Sequence, residues 1–234
     1  MLFFWLTILS IVLVLSFLLA MRSLKNSQTK IKPSSTPQSL FLIRNPDQIT
    51  TELLEKLHQT QTSLSFEKLF KGSEQALVLF GPKGLEQRLP ELGLLELEDY
   101  LIPKEQTFSN KDQTKVNADQ AFGWQIALQP GMDKPDLSQL NLGVDEQLFY
   151  QIILEPVIQK DEKLLKVTAR AMVATKNKLD KVKLGKRIFN KINQSLEIES
   201  NDLQSSPQFF EKYQFRVPAG EKNFTIQEAL KTII

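Results

Sequence analysis

The first apolar stretch of the chain is long enough to cross a bilayer. Residues 2–21 carry no charge, and their polar side chains are those of Thr7, Ser10 and Ser16. Twenty helical residues extend about 30 Å, which is the thickness of a hydrocarbon core. A cleaved signal peptide is the competing interpretation, but the segment lacks a charged start and its apolar run is too long. The pattern therefore predicts a transmembrane helix within residues 1–21.

Basic residues follow this segment and predict its orientation. They are Arg22, Lys25, Lys30 and Lys32, and no acidic residue precedes Asp47. The positive-inside rule then places the N-terminus outside and residues 22–234 in the cytoplasm. Residues 22–38 are rich in Ser, Thr, Gln, Lys and Pro and are typical of a flexible linker. We expect a single-pass protein of the cell membrane.

The hydrophobic pattern of residues 39–102 predicts a small α+β unit. Apolar runs predict four strands, at 39–44, 64–70, 76–80 and 94–101. Helical spacing predicts helices over 50–60, with Thr50 as N-cap, and over 83–90. The resulting order β-α-β-β-α-β is the ferredoxin-like order, an antiparallel sheet with two helices on one face.

Residues 103–121 are polar and predict a linker, after which a second α+β unit occupies residues 122–234. Its predicted strands are 122–128, 148–158, 164–175 and 209–217, its long helix is 178–196, and Thr225 and Glu228 form a capping box that opens a terminal helix. This unit is also β-α-β-β-α-β if residues 137–146 supply its first helix, although Asn141 and Gly143 favour a loop. The predicted fold class is thus α+β, with a transmembrane helix followed by two ferredoxin-like units.

A short pattern of aromatic, Gln, Ile, any residue, Leu, Gln or Glu, and Pro occurs twice. It covers residues 124–130 and 150–156. The simpler interpretation is two neighbouring strands of one sheet, each ended by a proline that cannot donate to the ladder. The alternative is a recognition role for Gln125 and Gln151.

The composition excludes most kinds of catalytic and metal-binding site. The chain has no Cys and one His, His58, so it has no disulfide, no thiolate nucleophile, no Cys-type metal site and no cluster of His ligands. His58 lies on the first predicted helix and is expected at the surface or at its boundary. We predict no catalytic, cofactor-binding or metal-binding residue, and a protein that is not an enzyme.

Two further motifs have simpler structural interpretations. Residues 81–84, Gly-Pro-Lys-Gly, lack the spacing and the hydroxyl of a phosphate-binding loop and predict a strand-to-helix turn. Glu96 and Glu98 alternate with leucines and precede Asp99, which predicts carboxylates on the solvent face of a strand. A hydrolase that uses these carboxylates or His58 is the weakest hypothesis.

The charge distribution is uneven although the net charge is only +2. Residues 41–163 carry −8 and residues 164–196 carry +8. Basic side chains concentrate on or just before one helix and offer a contact for an anionic surface: Lys176, Lys178, Lys181, Lys183, Lys186, Arg187 and Lys191. The predicted apolar stripe of this helix is Leu179, Val182, Phe189, Ile192 and Leu196, with Gly185.

Three interpretations of the basic helix are open. It is a solvated face that pairs with the acidic first half, or a contact for anionic lipid headgroups, or a contact for nucleic acid or an acidic protein. No aromatic platform lies among the lysines, so no motif supports nucleic acid.

Parts of residues 40–101 and 146–156 carry a resemblance. They include Ser65-Phe-Glu, the acidic strand end Glu96-Leu-Glu-Asp-Tyr100 and Glu146-Gln-Leu-Phe-Tyr-Gln-Ile-Ile-Leu-Glu-Pro156. This resembles the membrane-proximal region of a group of bacterial membrane proteins, in which a transmembrane segment and a two-part α+β region precede a DNA-pumping ATPase of the type IV secretion and conjugation class. The resemblance covers about half the chain, and its motifs are structural. The ATPase motifs are absent here.

These observations lead to two functional hypotheses. The first is a non-enzymatic, membrane-anchored protein whose cytoplasmic α+β region docks a protein partner, such as a secretion-type ATPase, in a secretion-like or conjugation-like assembly. The second is a peripheral binder of anionic lipid or nucleic acid that acts through the basic helix, residues 176–191.

Overall fold

One antiparallel sheet organises the part of the chain that the structure describes. The structure is a computed structural model, and it describes residues 37–97, 121–137, 140–159, 162–176, 179–196, 209, 212–213, 216–220 and 222–233. Its strands are β1 (Gln38–Leu42), β2 (Leu64–Lys71), β3 (Glu74–Pro82), β4 (Leu95–Glu96), β5 (Ala121–Ile126), β6 (Glu146–Gln159), β7 (Glu162–Thr175) and β8 (Asn223–Thr225). Their spatial order is β4-β1-β3-β2-β6-β7-β5, and β8 pairs with β7 beside β5.

Four α-helices have described bounds, and they pack on one face of the sheet, with two short 3-10 helices at Pro46–Gln48 and Pro90–Leu92. They are α1 (Thr51–Gln59), α2 (Leu85–Arg88), α3 (Lys181–Leu196) and α4 (Ile226–Ile233). Apolar side chains of all four join those of the strands in a single core, for example Leu54, Leu85, Ile188 and Ala229. Burial of this face supplies the main stabilising contribution to the fold.

The pairing of β2 with β6 joins the two halves of the sequence. It runs antiparallel from Leu64 opposite Leu154 to Lys71 opposite Gln147. The described residues accordingly belong to one compact unit.

The predicted fold class of two ferredoxin-like units is therefore wrong. Residues 38–96 do follow the chain order β-α-β-β-α-β, but their strands form one half of a continuous eight-stranded sheet. In the other half, residues 140–145 are loop and turn, so no helix separates β5 from β6. The periodicity predicted most strands correctly but carried no information about which strand edges pair.

The prediction of a single-pass membrane protein is also corrected. In the part of the chain that the structure describes, no helix is long and apolar enough to span a membrane. The longest, α3, has 16 residues and five basic side chains. This finding contradicts the predicted integral membrane association and the predicted location of residues 22–234 on the cytoplasmic side of a cell membrane. The predicted transmembrane segment, its flank of Arg22, Lys25, Lys30 and Lys32, and residues 103–120 lie outside the described residues.

Local signals at two helix starts are confirmed. The Thr50 hydroxyl accepts a hydrogen bond from the Leu53 amide at 3.3 Å, as an N-cap does. At α4, the Thr225 amide donates to Glu228 at 2.8 Å, and the Glu228 amide donates to the Thr225 hydroxyl at 3.3 Å.

The two similar segments lie on either side of β7 and are not neighbours. Trp124 of β5 and Tyr150 of β6 both pair with Ala171, and Gln125 and Gln151 both pair with Arg170. Pro156 does not end its strand, because it lies within β6 two residues beyond Leu154. Beyond Leu154, β6 is no longer paired with β2. The backbone N–H that Pro156 lacks therefore costs no hydrogen bond to β2.

The second face of the sheet is covered by residues from the segment 209–220, in which residues 209–217 are predicted to form a strand. Phe209, Lys212 and Tyr213 have helical backbone, so the strand prediction is wrong. Phe209 and Tyr213 pack with Phe149 and Met172. Gly123 of β5 permits this contact, because a Cβ at that position would overlap the Phe209 ring.

We expect Gly123→Ala to lower the free energy of unfolding by about 1–3 kcal/mol, because the added methyl displaces Phe209. Urea denaturation measures this effect. Gly143→Ala is the matched control: its nearest heavy atom would be a Glu146 side-chain atom at 3.5 Å, an ordinary contact, so its effect should stay within about 0.5 kcal/mol. Equal effects of the two substitutions would contradict the packing of Phe209 on β5.

Candidate functional site

The basic helix is packed by its apolar side, but along a different stripe from the one predicted. Leu184, Ile188, Phe189, Ile192 and Leu196 are buried, and α3 contacts β5 and β7. A Cβ on Gly185 would lie 2.6 Å from Phe122, so glycine allows the close approach of helix and strand. The prediction was right for Phe189, Ile192 and Leu196.

Two members of the predicted stripe are exposed. Leu179 is 87% exposed and Val182 is 42% exposed. Leu179 precedes the first helical residue, Lys181, so helical spacing does not apply to it. The buried stripe is therefore carried by Leu184 and Ile188 instead.

Some of the basic side chains are held by acids at the start of β6. Lys176 forms an ion pair with Asp145 at 2.5 Å. Arg187 forms one with Glu146 at 2.5 Å, and Glu146 also accepts a hydrogen bond from the Gly143 amide at 2.8 Å. These contacts agree with the interpretation of a basic face that pairs with acidic residues of the same chain. Surface pairs of this kind contribute at most about 1 kcal/mol each.

Other basic side chains of α3 have no such partner. Within the described residues, Lys181, Lys183 and Lys186 form no ion pair through their side chains. Lys183 and Lys186 are exposed, Lys181 and Lys191 are half-buried, and Lys178 lies outside the described residues. Val182, Lys183 and Lys186 follow helical neighbour spacing, and Leu179 lies just before the first helical residue. We call Leu179, Val182, Lys183 and Lys186 the basic surface.

The remaining candidates from the sequence have structural roles. His58 is buried, not at the surface, and its Nε2 lies 3.1 Å from the Val157 carbonyl oxygen. Of residues 81–84, the first two end β3, and Lys83 and Gly84 form the turn to α2, with Gly84 at φ +87°. Glu96 is half-buried, bonds to the Ser39 hydroxyl and lies 3.3 Å from Lys83, and these contacts lower the pKa of its carboxyl. Glu98 and Asp99 lie outside the described residues.

Sequence reasoning missed a cluster of buried polar side chains on the second face of the sheet. Glu67 and Arg216 are 2% and 5% exposed and form an ion pair, with Nε 2.8 Å from Oε1 and Nη2 3.2 Å from Oε2. Ser65 and Gln151 also donate to Glu67 Oε1, at 3.1 and 3.2 Å. The Arg216 guanidinium lies 4.1 Å from the centre of the Phe80 ring.

Neighbouring side chains bind the backbone of the same covering segment. Arg170 donates to the carbonyls of Lys212 and Val217, at 2.9 and 2.5 Å, and burial lowers the pKa of its guanidinium to about 10. The Ala219 amide donates to the Thr168 hydroxyl at 2.8 Å. Together these contacts hold residues 212–213 and 216–219 against β2, β6 and β7.

The arrangement of this cluster is that of a structural ion pair and not that of an active site. Both carboxylate oxygens of Glu67 are engaged by Arg216, Glu67 itself is buried, and the Phe80 ring lies against the Arg216 guanidinium. A substrate would have to displace the ion pair to reach the carboxylate. Among the described residues, no group of three His, Asp or Glu side chains is placed to hold a metal ion.

Comparisons with known proteins add no identity. No protein-family model matches the chain, and no curated protein sequence matches it. The resemblance to the membrane-proximal region of secretion-type proteins thus stays a prediction.

We expect Arg216→Met to lower the free energy of unfolding by about 3–5 kcal/mol, because it leaves the Glu67 carboxylate buried and uncompensated. The double variant Glu67→Leu, Arg216→Met should lose less than the single variant. Arg88→Met, at an exposed arginine, should change stability by no more than about 0.5 kcal/mol. A single variant as stable as this control, by urea denaturation, would contradict the assigned role of the ion pair.

Proposed function

We propose that this chain is a non-enzymatic docking protein and that its basic surface binds an acidic protein partner. The observation that carries the proposal is the combination, at the start of α3, of exposed Leu179 and Val182 with Lys183 and Lys186, which have no ion-pair partner within the described residues. Apolar contacts surrounded by charge complementarity are typical of protein recognition.

A comparison with the ion-paired cations nearby distinguishes this surface from a face that is merely solvated. Asp145 and Glu146 neutralise Lys176 and Arg187. Lys183 and Lys186 of α3 have no ion pair of this kind within the described residues, and exposed Val182 lies beside them. A partner that supplies carboxylates around an apolar side chain satisfies both kinds of group.

The mixture of apolar and basic side chains on the basic surface favours a protein partner over nucleic acid and lipid. Phosphates of nucleic acid would pair with the lysines but would leave Leu179 and Val182 without apolar contact, and no aromatic side chain accompanies the lysines to stack on bases. A helix that enters a lipid interface presents its main apolar stripe to the acyl chains. In α3 that stripe is buried against β5 and β7.

The described side chains with catalytic potential also support a non-enzymatic role. His58 bonds to a carbonyl inside the fold, and Glu67 is engaged by Arg216, Ser65 and Gln151. The resemblance to a region that precedes a DNA-pumping ATPase agrees with a docking role in a secretion-like or conjugation-like assembly.

Photo-crosslinking tests the proposal directly. A photoreactive phenylalanine analogue at position 182 of the full chain, in cells that produce it natively, should give one discrete protein adduct. The adduct should disappear when Lys181, Lys183 and Lys186 are replaced by glutamine, because the carboxylates of the partner lose their counter-charges. Mass spectrometry of the crosslinked product identifies its chemical class.

The matched control removes the same charge elsewhere. Replacing exposed or half-exposed Lys163, Lys166 and Lys231 by glutamine should leave the adduct unchanged, and both triple variants should keep the stability of the parent to within about 1 kcal/mol. Crosslinks to nucleic acid or to lipid, or an adduct that survives the first triple variant, would contradict the proposal.

A further inference from the structure

A cavity of about 470 Å³ lies on the helix-covered side of the sheet, well away from the basic surface in sequence. Its apolar wall is formed by Ile43, Phe70, Leu77 and Leu137. The segment from Lys134 to Leu137 borders one side of it, Arg44 and Pro46, which follow β1, border another, and the cavity opens to solvent. A volume between about 300 and 1,000 Å³ is typical of a small-molecule site, and here apolar and polar side chains share the wall.

Cations line this cavity without partners of their own. Lys68, Lys134 and Arg44 all contribute to the wall. Within the described residues, none of the three forms an ion pair or a side-chain hydrogen bond. Asp136 also lines the cavity and has a partner of its own. The local charge is therefore positive.

Lys68 is the least expected of the three cations. It lies on the face of β2 that also carries Leu64, Phe66 and Phe70, where alternation calls for an apolar residue. Across the sheet it is opposite Leu77 of β3 and Tyr150 of β6. Burial and the positive charge of Lys134 lower the pKa of the Lys68 ammonium to about 8, so the surroundings of Lys68 disfavour the charge that it carries at neutral pH.

We propose that this cavity binds a small amphipathic organic acid, with its anionic group on Lys68, Lys134 and Arg44 and its apolar body against Ile43, Phe70, Leu77 and Leu137. An anion satisfies the unpartnered donors, and Arg44 can meet a carboxylate or phosphate with two parallel hydrogen bonds. An apolar body is required because a bare inorganic anion would leave most of the cavity wall without contact. Carboxylate and phosphate share this chemistry.

Isothermal titration of the full chain with four probes tests the site. The probes are 2-naphthoate, 2-naphthyl phosphate, the neutral 2-naphthylmethanol and inorganic phosphate. At least one naphthyl anion should bind about tenfold or more tightly than both the neutral alcohol and inorganic phosphate. Binding of the neutral probe with equal affinity, or of inorganic phosphate alone, would overturn the proposal, as would the absence of binding by both naphthyl anions.

Lys68→Met keeps the length of the side chain and removes its charge. It should weaken binding of the naphthyl anion about tenfold, whereas Lys71→Met, at an exposed position on the same strand, should not weaken it. Loss of stability does not explain such a result, because removal of an unpartnered half-buried cation is not expected to destabilise the fold. Equal binding by both variants would overturn the assignment of Lys68.

Proton uptake gives a second readout that a merely structural role would not change. The charged and titratable groups around Lys68 are Arg44, Lys134, Asp136 and Tyr150. At about pH 9 the Lys68 amine of the free protein is largely neutral, and a bound anion raises its pKa, so binding should take up part of a proton from the buffer. Titrations in buffers of different ionisation enthalpy measure this uptake, which Lys68→Met should abolish.

The same shift makes the stability of the unliganded protein depend on pH. Between about pH 8 and 10.5 the unfolded chain still holds the proton that folded Lys68 has lost. The contribution of Lys68 should therefore make the free energy of unfolding rise with pH across this interval. Lys68→Met should show a smaller rise than Lys71→Met, and identical pH profiles would contradict the position of Lys68 in the cavity wall.

Discussion

The ladder between β2 and β6 is the constraint on which the rest of the structure depends. Its register, Leu64 opposite Leu154 and Lys71 opposite Gln147, turns two halves of the sequence into one sheet. It sets Glu67 opposite Gln151 on one face and Lys68 opposite Tyr150 on the other. A slip of one residue would exchange these faces, placing Glu67 among the apolar side chains under the helices.

Each face of this ladder carries a charged side chain, and the two charges have different consequences for the structure. On the second face, the Glu67 carboxylate has its full set of partners in Arg216, Ser65 and Gln151, and it holds the covering segment in place. On the helix-covered face, Lys68 has no partner within the described residues and borders a cavity. A satisfied buried charge specifies structure, whereas an unsatisfied one favours a ligand of opposite sign. At the exterior, Lys183 and Lys186 of the basic surface likewise have no ion-pair partner within the described residues.

The sequence predicted what depends on neighbouring residues. The Thr50 cap, the box of Thr225 and Glu228, the turn after β3 and most strands follow from local spacing. Pairing of β2 with β6, burial of His58 and the ion pair of Glu67 with Arg216 join residues far apart in the chain, and no periodicity encodes them. Two polar residues, Glu67 and Lys68, in an apolar strand were the signal available. The basic helix was located correctly, and its buried stripe was right at Phe189, Ile192 and Leu196 but wrong at Leu179, which precedes the helix, and at Val182.

Hydrogen exchange across the β2–β6 ladder tests the central claim, that both halves unfold as one unit. Leu79, in β3, is fully buried, and Leu79→Ala should cost about 2–5 kcal/mol. The most protected amides of β7, such as those near Val173, should then lose the same free energy of protection as those of β3. If protection in β7 stays at the parent value while β3 is destabilised, the two halves are independent and the account is contradicted.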